Sequence, residues 1–181
     1  MAVPSAPSDE TLAALAAQTG QALLSSRLRL VAAESCTGGW VAKCLTDVAG
    51  SSQWFERGYV TYSNLAKEQS LGVDARTLEK HGAVSAPVAE QMASGALQKS
   101  GADIAIAVTG IAGPDGGSAE KPVGLVWFAL AERSMPVRML EQHFSGDREA
   151  IRRAAVATAL RLVLAAAEAA GVARTATAVR S

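Results

Sequence analysis

From residue 28 onward, short apolar runs alternate with amphipathic helical segments, and that alternation restricts the chain to a sheet with helices packed against it. "LRLVAAE" (28–34) reads as a first strand, and Val41, Leu45 and Val48 then fall at i, i+4 and i+7, predicting a helix from Thr37 to Val48 that "AGSS" stops. "FERGYVTYS" (55–63) predicts a second strand, "NLAKEQSL" a short helix, and "DARTLEKHG" another helix ending at Gly82. Ser85 is placed to cap a helix with Pro87 in its first turn, running to about Lys99. "DIAIAVTG" (103–110) has the β-branched alternation of a buried strand, and "VGLVWFALA" with "VRMLEQHFS" reads as a hairpin. An alanine-rich helix after "SGD" closes at Gly171, and a helix from Ser8 or Asp9 to Ser25 opens the chain. The expected architecture is an α/β three-layer sandwich, with a mixed, mostly parallel sheet, a late β-hairpin and helices on both faces. One domain, 9–171, is expected between a disordered tail at 1–8 and a frayed tail at 172–181.

Composition removes several classes of function. Seventeen Lys and Arg balance 17 Asp and Glu, so no electrostatic footprint for nucleic acid or an anionic membrane is expected. No window of 18 uncharged apolar residues occurs, and "MAVPSAPSDE" lacks the basic and apolar regions of a signal peptide, which predicts a cytoplasmic protein. Cys36 and Cys44 sit in what reads as one element, poor geometry for a bridge. The two histidines, His81 and His143, are too far apart in sequence to suggest a metal site, and neither falls in a loop suited to catalysis.

In open α/β sheets, sites form beyond the carboxyl ends of strands, and three stretches qualify: 34–39, 61–67 and 109–118. In the first, Ser35 stands at a strand-to-helix turn, where the backbone N–H groups of Cys36, Thr37, Gly38 and Gly39 are available to hold a phosphate or an oxyanion. A plain helix cap at Ser35 or Thr37 accounts for the hydroxyls equally well, but two glycines in a first helical turn oppose the helix and favour close approach of a ligand. The second stretch, "TYSNLAK", carries Tyr62 and Lys67. Lacking a usable histidine, a serine nucleophile needs another base, and a lysine made neutral by burial or by a helix N-terminus can serve; a solvated surface lysine is the alternative. The third, "TGIAGPDGG", lacks both the dinucleotide fingerprint and the P-loop ending, yet its glycines make a backbone cradle for a phosphate, a ribose or a ring. Cys36 is a weaker nucleophile candidate, and Arg148, in the first turn of the last helix, either faces an anionic ligand or makes a surface ion pair.

Together, "AESCTGG", "GYVTYSNLAK", "HGAVS", "VTGIAGPDGGS", "KPVGLVWFA" and "FSGDRE" closely resemble the CinA C-terminal domain family, the nicotinamide-nucleotide amidohydrolases, over residues 9 to about 170. The resemblance implies hydrolysis of the carboxamide of nicotinamide mononucleotide to nicotinic acid mononucleotide and ammonia, in pyridine nucleotide recycling, with no metal or cofactor. It places a catalytic serine on Ser35 and a lysine on Lys67, with Tyr62 matching the family tyrosine and Asn64 lying in the same motif. Tyr62 is expected to relay a proton, the N–H groups near Cys36 to Gly38 to hold the oxyanion, and Thr109, Gly110, Gly113, Pro114, Gly116 and Arg148 to hold ribose and phosphate. It also implies a homodimer or higher homo-oligomer, with Trp54 and Phe55 either in the interface or in the core. A non-catalytic nucleotide-binding module is the competing expectation: it leaves Lys67 in solvent, whereas an enzyme brings Lys67 Nζ within about 3 Å of Ser35 Oγ.

Overall fold

The computed structural model describes residues 6–178, with side chains through 173, so the expected N-terminal tail lies mostly outside the described residues. Helix α1 (Asp9–Ser25) begins where the Ser8 side chain accepts from the Thr11 N–H, and strand β1 (Leu30–Glu34) follows. Helix α2 (Trp40–Thr46) and strand β2 (Phe55–Val60) come next. A single turn, α3 (Asn64–Ala66), runs directly into a π-helical turn at Lys67–Leu71. Helices α4 (Ala75–His81) and α5 (Ala86–Gln98), strand β3 (Ile104–Gly110), the hairpin β4 (Leu125–Glu132) and β5 (Arg138–His143), and helix α6 (Arg148–Ala178) complete the chain.

The five strands lie in the order β2-β1-β3-β4-β5. β1 pairs parallel with β2 and β3, while β3–β4 and β4–β5 are antiparallel, so the sheet is mixed in equal parts and its parallel character ends where the hairpin begins. Alternate residues of the central strands feed two cores. Leu30, Ala32, Ile104, Ile106, Val108 and Phe128 pack under α1, α2 and α6; Val31, Ala33, Ala105, Ala107 and Ala129 pack under α5 and the 71–78 segment. β1 through Ala33 and β3 through Val108 are therefore apolar, as strands covered on both faces must be.

Three expectations change, and one left open, the place of Trp54, is decided. Helix α2 starts at Trp40, three residues late, because Gly38 (φ 62°) and Gly39 (φ 93°) form a left-handed turn that only glycine adopts at low cost. Ser85 occupies the cap position of α5, but its hydroxyl donates to the Gly82 carbonyl (2.9 Å) and not into the helix. Helix α6 passes through Gly171 to Ala178, so residues 172–178 are helical; 179–181 lie outside the described residues. Gly171 is there for close approach: a Cβ at that position would stand 3.0 Å from Ser26 Oγ, which donates to the Ala167 carbonyl and ties the end of α1 to α6. Trp54 is 3% exposed and packs where a Cβ on Gly20 would strike its ring, so it belongs to the core. Helix α6 is also long and apolar enough to cross a bilayer, yet Ile151, Val156, Leu160 and Val163 spend that apolar face on the sheet.

Candidate active site

β1, β2 and β3 run parallel, so their carboxyl ends open at one rim, and the segments leaving them meet there. The Ser35 N–H donates to the Val108 carbonyl of β3 (2.9 Å), and the Thr61 N–H donates to the Glu34 carbonyl of β1 (2.8 Å). These bonds carry the sheet ladder one residue past the strands and fix Ser35 beside Thr61. Lys67, six residues on, is placed by α3, whose Ser63 side chain accepts from the Ala66 N–H (3.1 Å).

Lys67 is fully buried; its Nζ lies 3.0 Å from Ser35 Oγ and donates to the Thr61 carbonyl at 2.8 Å. Among the described residues no carboxylate pairs with it. An ammonium taken out of water with only a carbonyl and a hydroxyl for company is strongly penalised. Burial accordingly pushes the Lys67 pKa below the usual lysine value, toward the neutral amine. Nζ donates to the Thr61 carbonyl and stands within hydrogen-bond reach of Ser35 Oγ; once neutral, the amine can offer its lone pair to the Ser35 hydroxyl proton, as a general base does to a nucleophile. The position of Lys67 at the first residue of a π-helical turn fits the frequent occurrence of such turns at functional sites.

A cavity of about 270 Å³ opens onto the pair, lined by Ser35, Cys36, Tyr62, Lys67, Ala83, Val84, Thr109, Gly110, Ile111, Ala112, Gly113, Asp115, Gly116 and Arg148. All three expected stretches contribute to it. Thr109 donates its hydroxyl to the Ala83 carbonyl (2.9 Å), tying "HGAVS" to the end of β3. Gly110 is required by β4: a Cβ there would stand 2.7 Å from Val126 Cγ2 and 2.8 Å from the Leu125 oxygen. Arg148, at the start of α6, donates to the Gly113 carbonyl (2.8 Å) and to the Tyr62 hydroxyl (3.0 Å), strapping the mouth across three segments. Tyr62 is 62% exposed, and its bonded partner is Arg148; it makes no hydrogen bond to Ser35 or Lys67.

Other expected residues lie elsewhere. Asn64 is exposed on α3 and Pro114 is exposed in its loop, and neither lines the cavity. Thr37 is fully buried with an unpartnered hydroxyl, and Gly38 and Gly39, both at positive φ, line a separate groove and not this cavity. Nor are the helix N-terminal donors free. Glu34, 1% exposed, accepts the N–H groups of Gly39 (3.0 Å), Val41 (3.0 Å) and Ala42 (2.8 Å), while Gly38 N–H donates to the Ser35 carbonyl (3.1 Å). That leaves the N–H groups of Cys36 and Thr37 as the two in this turn that donate to no other residue among the described ones. A carboxylate at a helix N-terminus is favoured by the dipole and by charge-assisted bonds. Glu34→Gln, which turns an NH2 toward one of those donors, lowers unfolding free energy by about 2–3 kcal/mol in denaturant titrations at neutral pH. Glu34 had one visible signal, a lone acid ending a wholly apolar strand just before a helix. Ala83, Val84, Ile111, Ala112 and Asp115 carry no chemical signature of their own and enter the lining through their neighbours.

Cys36 is buried, and burial pushes its thiol up to about 12, far from the thiolate a nucleophile needs. Cys44 is likewise pushed up to about 11, and both thiols are free. His143 pairs with Glu141 on β5, His81 ends α4, and neither lines the cavity. A larger groove, about 840 Å³, lies between α1, α2 and the start of α6, but it holds no comparable nucleophile and base.

Comparison with known proteins shows the family. The family described as the CinA C-terminal domain matches residues 12–167. Nicotinamide-nucleotide amidohydrolase PncC of Escherichia coli (strain K12) is 58% identical over 152 residues, covering 84% of this chain and 92% of that protein. The protein of the same name from Enterobacter agglomerans is 54% identical over 157 residues, covering 87% of this chain and 96% of its own. Among solved structures, competence/damage inducible protein CihA from Agrobacterium tumefaciens aligns with a TM-score of 0.84 at 48% identity, over 91% of this chain and 98% of that one. On the matched span and on these identities, the chain belongs to the CinA C-terminal domain family.

Proposed function

We propose that this protein is a nicotinamide-nucleotide amidohydrolase, converting the carboxamide of nicotinamide mononucleotide to the carboxylate with release of ammonia, through a Ser35–Lys67 dyad and an acyl-enzyme. The observation that carries the reading is a fully buried lysine, without a carboxylate partner, 3.0 Å from a serine hydroxyl at the mouth of a cavity. The relatives' names supply the substrate class. A simple nucleotide-binding module has no use for a buried neutral amine aimed at a hydroxyl, since an uncompensated buried lysine only costs stability.

The chemistry balances with the groups present. Neutral Lys67 takes the Ser35 proton as Oγ attacks the amide carbon, and the developing oxyanion is met by backbone N–H groups of the Cys36–Thr37 turn. Lys67 returns the proton to the departing nitrogen, ammonia leaves, and an ester to Ser35 remains. Water, activated by the same amine, then adds to the ester carbon and releases nicotinic acid mononucleotide and free Ser35. Arg148 and Tyr62, joined at the mouth, and the 110–116 loop bear on ribose and phosphate; holding substrate there, and not relaying a proton, is the role their bonds support.

The test is ammonia release from nicotinamide mononucleotide by the purified protein, with Cys36→Ser as the discriminating variant. The dyad predicts that Cys36→Ser lowers kcat by less than about tenfold, whereas loss of a thiol nucleophile costs orders of magnitude more. No release of ammonia from the mononucleotide contradicts the proposal.

A further inference from the structure

Helix α6 begins with Arg148 and, one turn on, carries two adjacent arginines that are used differently. Arg153 is spent on ion pairs with Asp9 and Glu149. Arg152 has no carboxylate partner among the described residues; its Nε donates to the Cys36 carbonyl (3.1 Å), its NH2 group donates to the Thr37 carbonyl (2.8 Å), and its guanidinium lies 5.1 Å from the centre of the Trp40 ring. Those carbonyls belong to the two residues that follow the proposed nucleophile.

The turn needs such a restraint. It contains consecutive left-handed glycines, Gly38 and Gly39, and glycine has the widest choice of backbone conformations to lose. Glu34 holds the Gly39 N–H and the start of α2, β3 holds the Ser35 N–H, and Gly38 N–H and Trp40 N–H donate to the Ser35 and Thr37 carbonyls, but the Cys36 carbonyl between them accepts from Arg152 and from no backbone N–H among the described residues. In a trans peptide the C=O and N–H point in opposite directions. Arg152, reaching the Cys36 oxygen from the groove it lines, therefore turns the Thr37 N–H away from its own guanidinium.

We infer that Arg152 is a positioning residue, which holds the Ser35–Thr37 turn, and with it the nucleophile and its neighbouring N–H donors, in the reactive arrangement. The inference rests on the dyad reading of the same site. Arg152 bonds backbone carbonyls, stacks on Trp40 and lines the groove between α1, α2 and α6, outside the Ser35 cavity, so its effect falls on the bond-making step and not on substrate affinity.

Steady-state kinetics on nicotinamide mononucleotide test this. Arg152→Ala lowers kcat by about 10- to 100-fold, the loss expected from a misplaced nucleophile and donor, with KM changed by less than about threefold. The groove leaves the vacated site open, so millimolar guanidinium chloride restores part of the lost kcat in Arg152→Ala and does not raise it in the wild type. The acid limb of the pH profile stays in place, since Lys67 keeps its burial. Arg152→Lys, which keeps the stem and one donor group, falls between the two and serves where Arg152→Ala does not fold. An unchanged kcat in either folded variant, a loss confined to KM, or folded Arg152→Ala that guanidinium leaves unaltered overturns the inference. Ser35→Ala run alongside separates the two claims: full activity in it defeats the dyad, while an inactive Ser35→Ala with unaffected Arg152 variants defeats only the role given to Arg152.

Discussion

Ser35→Ala lowers kcat for carboxamide hydrolysis by about 10⁴- to 10⁶-fold while leaving the protein folded, read as ammonia release against the wild type. In the proposed mechanism the loss is large because Oγ is the atom that forms the covalent bond, and no neighbouring group replaces it. The Cys36 thiol is buried and held at about 12, the Thr37 hydroxyl is sealed in the interior, and Tyr62 is bonded to Arg148. Folding survives because the backbone of Ser35 is fixed by its N–H to Val108 and by Gly38 N–H on its carbonyl, neither of which uses the hydroxyl. The proposed substrate contacts, loop 110–116 and Arg148, are left intact, so the effect is expected in kcat with KM nearly unchanged.

Lys67→Met is the second large effect. It removes the general base and lowers kcat by about 10²- to 10⁴-fold. It is also the substitution whose stability outcome separates a catalytic lysine from a structural one. The wild type carries a buried amine whose pKa is lowered by burial, so the folded state releases a proton that the unfolded chain keeps until the usual lysine value near 10.5. Between those two pKa values the unfolded state binds more protons, and stability rises with pH across that window. Methionine abolishes this dependence and fills the space with a flexible apolar chain, so the variant unfolds at no lower temperature than the wild type at neutral pH. The wild-type kcat/KM rises with pH as Lys67 loses its proton, on a limb below the usual lysine value, and the residual activity of Lys67→Met lacks that limb. Lys67→Arg, which stays protonated and cannot fit a fully enclosed site without expanding it, loses both activity and stability.

Much of this was legible in residue patterns because the relevant signals are local. The alternation of strands and helices, the hairpin at 125–143 and the rim that unites three loops all follow from apolar period and from where strands end. The pairing of Ser35 with Lys67 was reachable by asking what base a serine can use in a chain whose histidines fall away from the rim. What was hidden depends on backbone sign and on distant partners. Periodicity at Val41, Leu45 and Val48 places a helix but does not say that Gly38 and Gly39 precede it with positive φ, so the left-handed turn that delays α2 to Trp40 does not show in the pattern. Glu34 shows in the sequence only as a lone acid before a helix, which ordinarily faces water, and here it is buried on three N–H groups. Arg152 bonds a turn 115 and 116 residues earlier in the chain, and only the packing of α6 beside α2 brings them together. Gly171 carried the mark of a helix stop, but its lack of a side chain serves the approach of Ser26 instead.

The central claim, that Ser35 forms a covalent ester with the substrate, is tested most directly by rapid-quench mass spectrometry of the protein during turnover of nicotinamide mononucleotide, followed by peptide mapping. The account predicts an added mass equal to the mononucleotide less ammonia, located on Ser35 and absent from Ser35→Ala. The same adduct on Cys36, or product formed at an undiminished rate by Ser35→Ala, contradicts it.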